Sequence, residues 1–246
     1  MFHDDQHGTA VITLAALINS LKIVDKKIDN IKVVISGAGS AGYGIFKILK
    51  EAGCRNIVVT DSKGAIYDGR KDLVNVNSQN LDKQEIAKNS NPSKLEGNLE
   101  EVIRKADVFI GVSGKPGLLT KDMIQSMNHD AIVFPLSNPD PEILPSDALE
   151  AGARIIGTGR SDYPNQVNNA VVFPSVLRAL LDTRARGLDE KMLVTASYAI
   201  ASLVEITHLK EDYIIPKVND PRILPIVTQT LKEAIGKNDG TETKQG

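Results

Sequence analysis

Short, mostly apolar runs alternate with helix-like segments along most of the chain. Apolar character that continues through a run, rather than alternating with polar residues, is typical of strands covered on both faces of a sheet. Five such strands are predicted, over residues 31–36, 57–60, 108–112, 131–134 and 154–158. Because helical segments separate them, the pattern predicts an α/β fold with a parallel sheet between two layers of helices.

Helical spacing of apolar residues predicts a first helix over residues 8–24. Further helices are expected at 43–52, 82–89, 99–106, 120–128 with Thr120 as its cap, and 146–151 with Ser146 as its cap. The stretch 62–98 is polar and has little strand character. After Val171 the alternation gives way to long helices, at 176–186, 190–206 and 220–235. We therefore divide the chain into a leading helix segment (1–30), a sheet core (31–175), C-terminal helices (176–236) and a tail (237–246) that we expect to be disordered.

A glycine-rich loop, Gly-Ala-Gly-Ser-Ala-Gly at 37–42, joins the first strand to the helix that follows it. Glycines at this spacing allow a tight turn, close approach to a pyrophosphate and packing of the helix on the strand, while the helix N-terminus offers free N–H groups. The next strand ends at Asp61, where a carboxylate can accept hydrogen bonds from a ribose hydroxyl. The pattern predicts a dinucleotide site in a Rossmann-type, doubly wound, mainly parallel sheet with a C-terminal helical extension; the alternative is a structural glycine turn. The predicted contacts are Gly37, Gly39, Ser40, Ala41, Gly42 and Asp61.

Composition narrows the choice of partners. The 246 residues are 41% apolar and 24% charged, as in globular proteins, and the net charge of −2 gives no electrostatic reason to expect binding to nucleic acid or to an anionic membrane. No apolar run is long enough to span a bilayer, and the N-terminus does not resemble a signal peptide. The single cysteine, Cys54, excludes an internal disulfide and is predicted to be a packing residue. We expect a cytoplasmic location.

Three further loops follow strands, at 113–117, 135–142 and 159–169, and ligands of open parallel sheets bind beyond the carboxyl ends of the strands. Amides dominate the last two loops, and an amide can donate and accept at once, which suits a hydroxy acid or a carboxamide. Ser113 and Asn138 are the predicted cofactor contacts in these loops. Taken singly, each loop is also explained by turn chemistry.

Two adjacent carboxylates, Asp4 and Asp5, lie close to the N-terminus. Such a pair can offer oxygen ligands to Mg²⁺ or Mn²⁺. Equally, acids at the start of a helix are stabilised by the helix dipole.

Four motifs in this order resemble the malic enzymes of the short prokaryotic type. They are Phe-His-Asp-Asp-Gln-His-Gly-Thr-Ala at 2–10, the glycine loop, Ser-Asn-Pro at 137–139, and Gly-Arg-Ser-Asp-Tyr-Pro-Asn-Gln-Val-Asn-Asn at 159–169. The resemblance covers the chain from Phe2 to about Ile235. It implies oxidative decarboxylation of L-malate to pyruvate and CO2, with NAD(P)⁺ and Mg²⁺ or Mn²⁺.

The resemblance also implies roles for individual residues. Asp5 is similar to a metal ligand, Asp4 to a member of the proton-transfer network, and Thr9 to a residue beside the cofactor. The asparagines resemble contacts to malate or nicotinamide, and they are Asn138, Asn168 and Asn169.

The chain departs from the family at its start. Malic enzymes have an N-terminal domain that supplies a catalytic tyrosine, a catalytic lysine and a Glu-Asp metal pair, and none of these can be assigned here. The resemblance therefore implies that this chain is one portion of such an enzyme. It would need the N-terminal domain, from the same gene or from a separate chain, and would have little or no turnover by itself. It further implies a homodimer or larger assembly. We expect an uncovered apolar face on the first helix, around Leu14, Leu17 and Ile18.

Other functions remain open. Oxaloacetate decarboxylation is the partial reaction of the same site, and a non-catalytic dinucleotide-binding regulatory domain would keep the glycine loop without the chemistry. The sequence also bears on the choice between NAD and NADP. Asp61 should repel a 2′-phosphate and favour NAD, while Lys63 could offset the negative charge of Asp61 and admit NADP.

Overall fold

The protein is described by a computed structural model over residues 3–74, 80–185 and 187–242, with side chains described as far as residue 236. Phe2, Arg186 and residues 243–246, which belong to predicted segments, lie outside these ranges. The strands in these ranges are β1 (Lys32–Ser36), β2 (Asn56–Asp61), β3 (Gly64–Ala65), β4 (Val108–Gly111), β5 (Ile132–Pro135) and β6 (Ile155–Ile156).

These strands form one sheet within the described ranges, in the order β3-β2-β1-β4-β5-β6. All pairs are parallel except β2 with β3. The five predicted strands are confirmed. The short strand β3 was not predicted, because its two residues carry no apolar run and are held only by antiparallel pairing to the end of β2.

Helices cover both faces of the sheet, as the apolar runs predicted. They are α1 (Thr9–Ile23), α2 (Ser40–Glu51), α3 (Lys71–Val74), α4 (Leu81–Asn89), α5 (Leu99–Val102), α6 (Lys121–Gln125), α7 (Pro145–Glu150), α8 (Phe173–Thr183), α9 (Glu190–Ser202) and α10 (Ile223–Glu242). Successive strand residues face opposite cores: Val33 and Ile35 of β1 pack with α1 and α2, whereas Val34 packs with α5. The predicted Rossmann-type doubly wound sheet with a C-terminal helical extension is confirmed.

Several helix ends differ from the prediction. Ser146 does not cap α7, which begins at Pro145 after Leu144, because the ring of Pro145 already holds the φ that a first helical residue needs. Asn98 instead provides an unpredicted cap: its side chain accepts from the Glu101 N–H in a capping box. The final helix runs to Glu242, so it overlaps the segment expected to be a disordered tail.

The expectation of an uncovered apolar face on α1 is wrong. Leu14 and Leu17 are fully buried and Ile18 is 8% exposed, because α1 packs between α2 and α9. Exposed apolar side chains instead form a stripe on α8, which we call the α8 stripe: Phe173, Leu177 and Leu181, with 40%, 42% and 67% exposure. Their spacing of four residues places them on one side of that helix.

Two smaller expectations concern the single cysteine and membrane-spanning helices. Cys54 is a free, buried thiol, as expected for a packing residue, and burial raises its pKa to about 12. Among the helices that the structure describes, none has both the length and the apolar character needed to cross a membrane.

Candidate functional site

The glycine loop forms a tight turn between β1 and α2. Gly39 is the N-cap of α2 and has an extended backbone, so the first N–H groups of α2 point out of the helix without a side-chain cap. A Cβ at Gly42 would overlap the carbonyl oxygen of Gly37, which makes that glycine essential for the close turn. At Gly39, by contrast, a Cβ would meet no heavy atom within 4 Å, and this open space lies where a phosphate could approach the backbone.

A cleft of about 590 Å³, here called the glycine-loop cleft, opens at the carboxyl ends of β1, β2 and β4. This is the point where the strand order reverses, which is where doubly wound sheets bind their ligands. The predicted cofactor contacts that line this cleft are Gly37, Gly39, Asp61 and Ser113. Ser40 and Gly42 lie in the first turn of α2 beside it.

A second cleft of about 300 Å³ adjoins the first, and Val112 lines both. We call it the asparagine cleft. Residues predicted for three different roles line it, although they come from distant parts of the chain: Asp5, Thr9, Ala41, Asn138, Asn168 and Asn169. The structure therefore brings together the predicted metal ligand, substrate contacts and part of the glycine loop.

Asp4 and Asp5 lie in a π-helical turn, Asp4–Gly8, that leads directly into α1. The Asn169 amide donates to Asp4 Oδ2 at 2.7 Å, while Asp4 Oδ1 is buried with no hydrogen-bond partner among the described residues. Burial, followed by the negative charge of Asp5, raises the pKa of Asp4. Asp4 is thus a carboxyl group at the edge of the asparagine cleft that holds its proton to higher pH than a free aspartate does.

The side chain of Asp61 is almost completely enclosed, and the sequence analysis missed two of its basic partners, Arg70 and Lys83. Arg70 donates to both carboxylate oxygens, at 3.0 and 2.8 Å, Lys83 donates to Oδ2 at 2.8 Å, and the Lys63 N–H donates to Oδ1 at 2.9 Å. Burial alone would raise the pKa of Asp61, but these ion pairs hold it well below its usual range. Lys83 lies in the helix predicted over 82–89, but nothing in the polar stretch 62–98 indicated its path, so no signal in the sequence placed Arg70 and Lys83 beside Asp61.

Arg160 was also given no role by the sequence analysis. It lines a polar hollow of about 350 Å³ that shares Asn138 and Asn168 with the asparagine cleft. Its guanidinium donates to both oxygens of Asp162, at 2.9 and 2.7 Å, and lies 5.4 Å from the centre of the Tyr163 ring. A cation paired with Asp162 therefore lines the hollow that adjoins the asparagine cleft.

A metal ion would fit this chain only in part. No three side chains of histidine, cysteine, aspartate or glutamate come together as a metal site in the part of the chain that the structure describes. Asp5 is exposed and lines the asparagine cleft, so it is available as one oxygen ligand. Further ligands would have to come from outside these residues.

Comparison with known proteins places the chain in a family. The profile of the family described as "Malic enzyme, NAD binding domain" matches residues 6–231. The chain is 52% identical to the bifunctional malic/malolactic enzyme of Bacillus subtilis (strain 168), covering 95% of this chain and 56% of that protein. It is 41% identical to the NADP-dependent malic enzyme of Haemophilus influenzae (strain ATCC 51907 / DSM 11121 / KW20 / Rd), covering 95% of this chain and 32% of that protein.

Comparison with solved structures leads to the same family. The crystal structure of the NAD-dependent malic enzyme from Thermotoga maritima matches with a TM-score of 0.86 and 41% identity, over 94% of this chain and 59% of that one. The chain thus spans a third to just over half of the length of these relatives. Because the family profile covers nearly all of it, this chain belongs to the malic enzymes, of which it comprises the NAD-binding domain.

Proposed function

We propose that this chain is the NAD(P)-binding portion of a decarboxylating malate dehydrogenase, which converts L-malate to pyruvate and CO2 with a divalent metal. One observation carries the proposal: the glycine-loop cleft and the asparagine cleft adjoin at Val112. A dinucleotide whose pyrophosphate lies on the glycine loop can extend its nicotinamide into the asparagine cleft. When bound, the nicotinamide would accept the hydride that leaves C2 of malate.

The residues of the chain would then bind and orient. Asn138, Asn168 and Asn169 offer amide donors and acceptors to the carboxamide of nicotinamide and to the oxygens of the hydroxy acid. Asp4, held by Asn169 and with a raised pKa, would hold a proton beside the same cleft and so join the proton-transfer network.

Asp5 would contribute one ligand to Mg²⁺ or Mn²⁺. The other ligands of the metal are not supplied by the described residues. We propose that a second unit, similar to the N-terminal domain of malic enzymes and belonging to the same gene product or to a separate chain, supplies these ligands with the catalytic tyrosine and lysine. We further propose a cytoplasmic location and a homodimer.

The α8 stripe is the surface that we propose this unit covers. It begins at Phe173, four residues after Asn169 of the asparagine cleft, and it is apolar and exposed. This chain covers 56% and 32% of the two relatives compared above, so those proteins contain additional polypeptide that could cover such a surface. Replacing Leu177 with aspartate should prevent assembly with a separately produced N-terminal domain, whereas Ile206→Asp, also exposed but outside the stripe, should not.

Binding and turnover test the proposal separately. The purified chain should bind NAD⁺ in a saturable 1:1 calorimetric titration with Mn²⁺ present, and it should form little or no NADH from malate alone. Adding the N-terminal domain should restore malate-dependent NADH formation. Turnover by the isolated chain at the rate of an intact malic enzyme would refute the need for a second unit, and absence of NAD⁺ and NADP⁺ binding would refute the dinucleotide site.

The same assembled system separates the alternatives. An oxaloacetate decarboxylase would release CO2 from oxaloacetate without forming NADH from malate. A regulatory domain would bind the dinucleotide and show neither reaction after the N-terminal domain is added.

For the cofactor, we propose that NAD is preferred and that NADP also binds. Asp61 remains anionic and disfavours a 2′-phosphate, but Arg70 and Lys83 form ion pairs with its carboxylate and weaken that repulsion. Lys63 gives only its backbone N–H to Asp61, because its ammonium pairs with Asp72 at 3.0 Å. Replacing Lys83 with alanine should therefore reduce affinity for NADP⁺ more than for NAD⁺. An unchanged ratio of the two affinities would exclude Lys83 from the ribose site.

A further inference from the structure

Glu142 is a buried carboxylate that no part of the proposed chemistry uses. It is completely inaccessible to solvent and follows the Ser137-Asn138 loop, beyond the end of β5. Its carboxyl group lies over Gly111, the last residue of β4, so closely that a Cβ at Gly111 would overlap it. The carboxylate is therefore held between the ends of two neighbouring strands.

Four donors converge on this carboxylate, and they come from two loops. Oε1 accepts from the N–H and the hydroxyl of Ser113, both at 2.9 Å, and from the hydroxyl of Ser137 at 2.6 Å. Oε2 accepts from the Ser137 N–H at 3.3 Å. The Ser137 hydroxyl also accepts from the Gly114 N–H at 2.9 Å, so it links the two loops a second time.

The two serines belong to different clefts. Ser113 lines the glycine-loop cleft, and Ser137 lines the asparagine cleft next to Asn138. From this connection we propose that Glu142 is a positioning residue: it sets the separation of the two clefts, so that a dinucleotide seated on the glycine loop places its nicotinamide at Asn138. This inference rests on the proposed dinucleotide function.

An amide cannot reproduce the arrangement. In a glutamine at this position, the NH2 group would face either the Ser137 N–H or the three donors that converge on Oε1. Either orientation sets a donor against a donor, so one of the two loops must move although size and shape are kept. Glu142→Gln should therefore displace the clefts relative to each other without emptying the site.

Binding of two ligands, NAD⁺ and ADP, distinguishes a role of Glu142 in positioning the clefts from a role in supporting the fold as a whole. NAD⁺ reaches both clefts, whereas ADP contains only the adenosine and phosphate portion that the glycine-loop cleft would hold. In calorimetric titrations of the 246-residue chain, Glu142→Gln should lower the affinity for NAD⁺ about five- to tenfold, as expected for the loss of one hydrogen bond. The affinity for ADP should change by less than about twofold on the same scale.

Ser137→Ala keeps Glu142 and removes only the bridging hydroxyl, so it provides an independent test if the glutamine variant folds poorly. It should lower NAD⁺ affinity and spare ADP in the same way. The matched control is Asp107→Asn, a buried carboxylate beyond the opposite ends of the strands, which accepts from Lys26 and the Lys32 N–H. That variant should melt at a lower temperature and keep the wild-type ratio of NAD⁺ to ADP affinity.

The outcomes separate cleanly. If the wild-type chain binds NAD⁺ and both variants bind NAD⁺ and ADP as tightly as it does, the positioning role is wrong and the proposed function stands. If the variants lose NAD⁺ and ADP equally, Glu142 supports the fold alone, and the inference is again overturned. If the wild-type chain binds neither ligand, the proposed function fails and this inference fails with it.

Discussion

Replacing Asp61 with asparagine removes one charge from an ion pair that is shielded from solvent. The side chains of Asp61 and Arg70 are only 6% and 8% exposed. Breaking a buried pair by removing one partner typically costs about 3–5 kcal/mol, because the remaining charge stays buried. Arg70 keeps its contacts to Asp72, at 2.8 and 3.3 Å, so we expect the lower end of that range, about 3 kcal/mol of unfolding free energy.

Urea unfolding followed by circular dichroism would measure this loss. A chain of this size should have an m value near the upper end of the usual ~1–3 kcal/mol per M, so the midpoint should fall by about 1 M urea while m stays constant. The matched control is Asp162→Asn, which breaks an ion pair of the same two-point geometry with Arg160. In that pair the side chains of Asp162 and Arg160 are 56% and 32% exposed, so water screens the pair and the loss of stability should be much smaller than in Asp61→Asn.

The pH dependence gives a second test of the same reasoning. Because the folded-state pKa of Asp61 lies below its unfolded value, its stabilising contribution is complete above the unfolded pKa, about 4, and is lost as the pH falls towards the folded value. Wild type and Asp61→Asn should therefore differ most above about pH 5 and converge in acid. A loss no larger than that of Asp162→Asn, or a difference that is independent of pH, would show that the buried ion pair does not stabilise the fold.

Three other changes test separate features. Asp5→Asn removes a neighbouring negative charge and should lower the pKa of Asp4 in a carbon-13 carboxyl titration; an unchanged value would mean that burial alone raises it. Asn165→Ala removes three hydrogen bonds, two of them buried (to Ile156 and Ile214) and one partly buried (to Glu211). It should cost about 2–4 kcal/mol in thermal unfolding, whereas a loss below ~1 kcal/mol would contradict their importance. Gly42→Ala forces its Cβ onto the Gly37 carbonyl and should weaken NAD⁺ binding by more than about tenfold. Gly236→Ala, on an open side of α10, should instead stabilise the chain by ~0.5–1 kcal/mol. Wild-type affinity in Gly42→Ala would show that the loop tolerates a side chain.

The sheet was predictable because its central strands are buried on both faces. Such strands read as continuous apolar runs, and the positions of β1, β2, β4 and β5 follow from that physical requirement alone. The glycine loop and the paired asparagines were visible for a similar reason, since the strand-and-helix frame places their loops on one sheet edge.

Side-chain partners within the loops were not predictable. Arg70 and Lys83 meet Asp61 only because of the path taken by a polar segment, and polar segments carry no periodic signal from which that path could be derived. Glu142 was hidden in a different way. It lies in a loop whose proline and asparagine residues suggest a simple turn, and its partners become evident only when the ends of β4 and β5 are adjacent.

The burial of α1 was missed although the sequence contained a sign of it. Apolar residues occur on every side of this helix, from Val11 and Ile12 to Leu17, and a helix that is apolar all round belongs in an interior. The resemblance to a longer protein suggested an exposed face instead. The packing of α2 and α9 against α1 shows that the described residues already provide its cover.

That enclosed helix has a consequence for motion. The π-helical turn that carries Asp4 and Asp5 is continuous with α1, which cannot shift without disturbing the core on several sides. The amides of α1 should accordingly exchange with deuterium among the slowest in the protein. We therefore expect the two acids to move together with the sheet, and a closing movement over the asparagine cleft to come from the proposed second unit rather than from the turn that carries them.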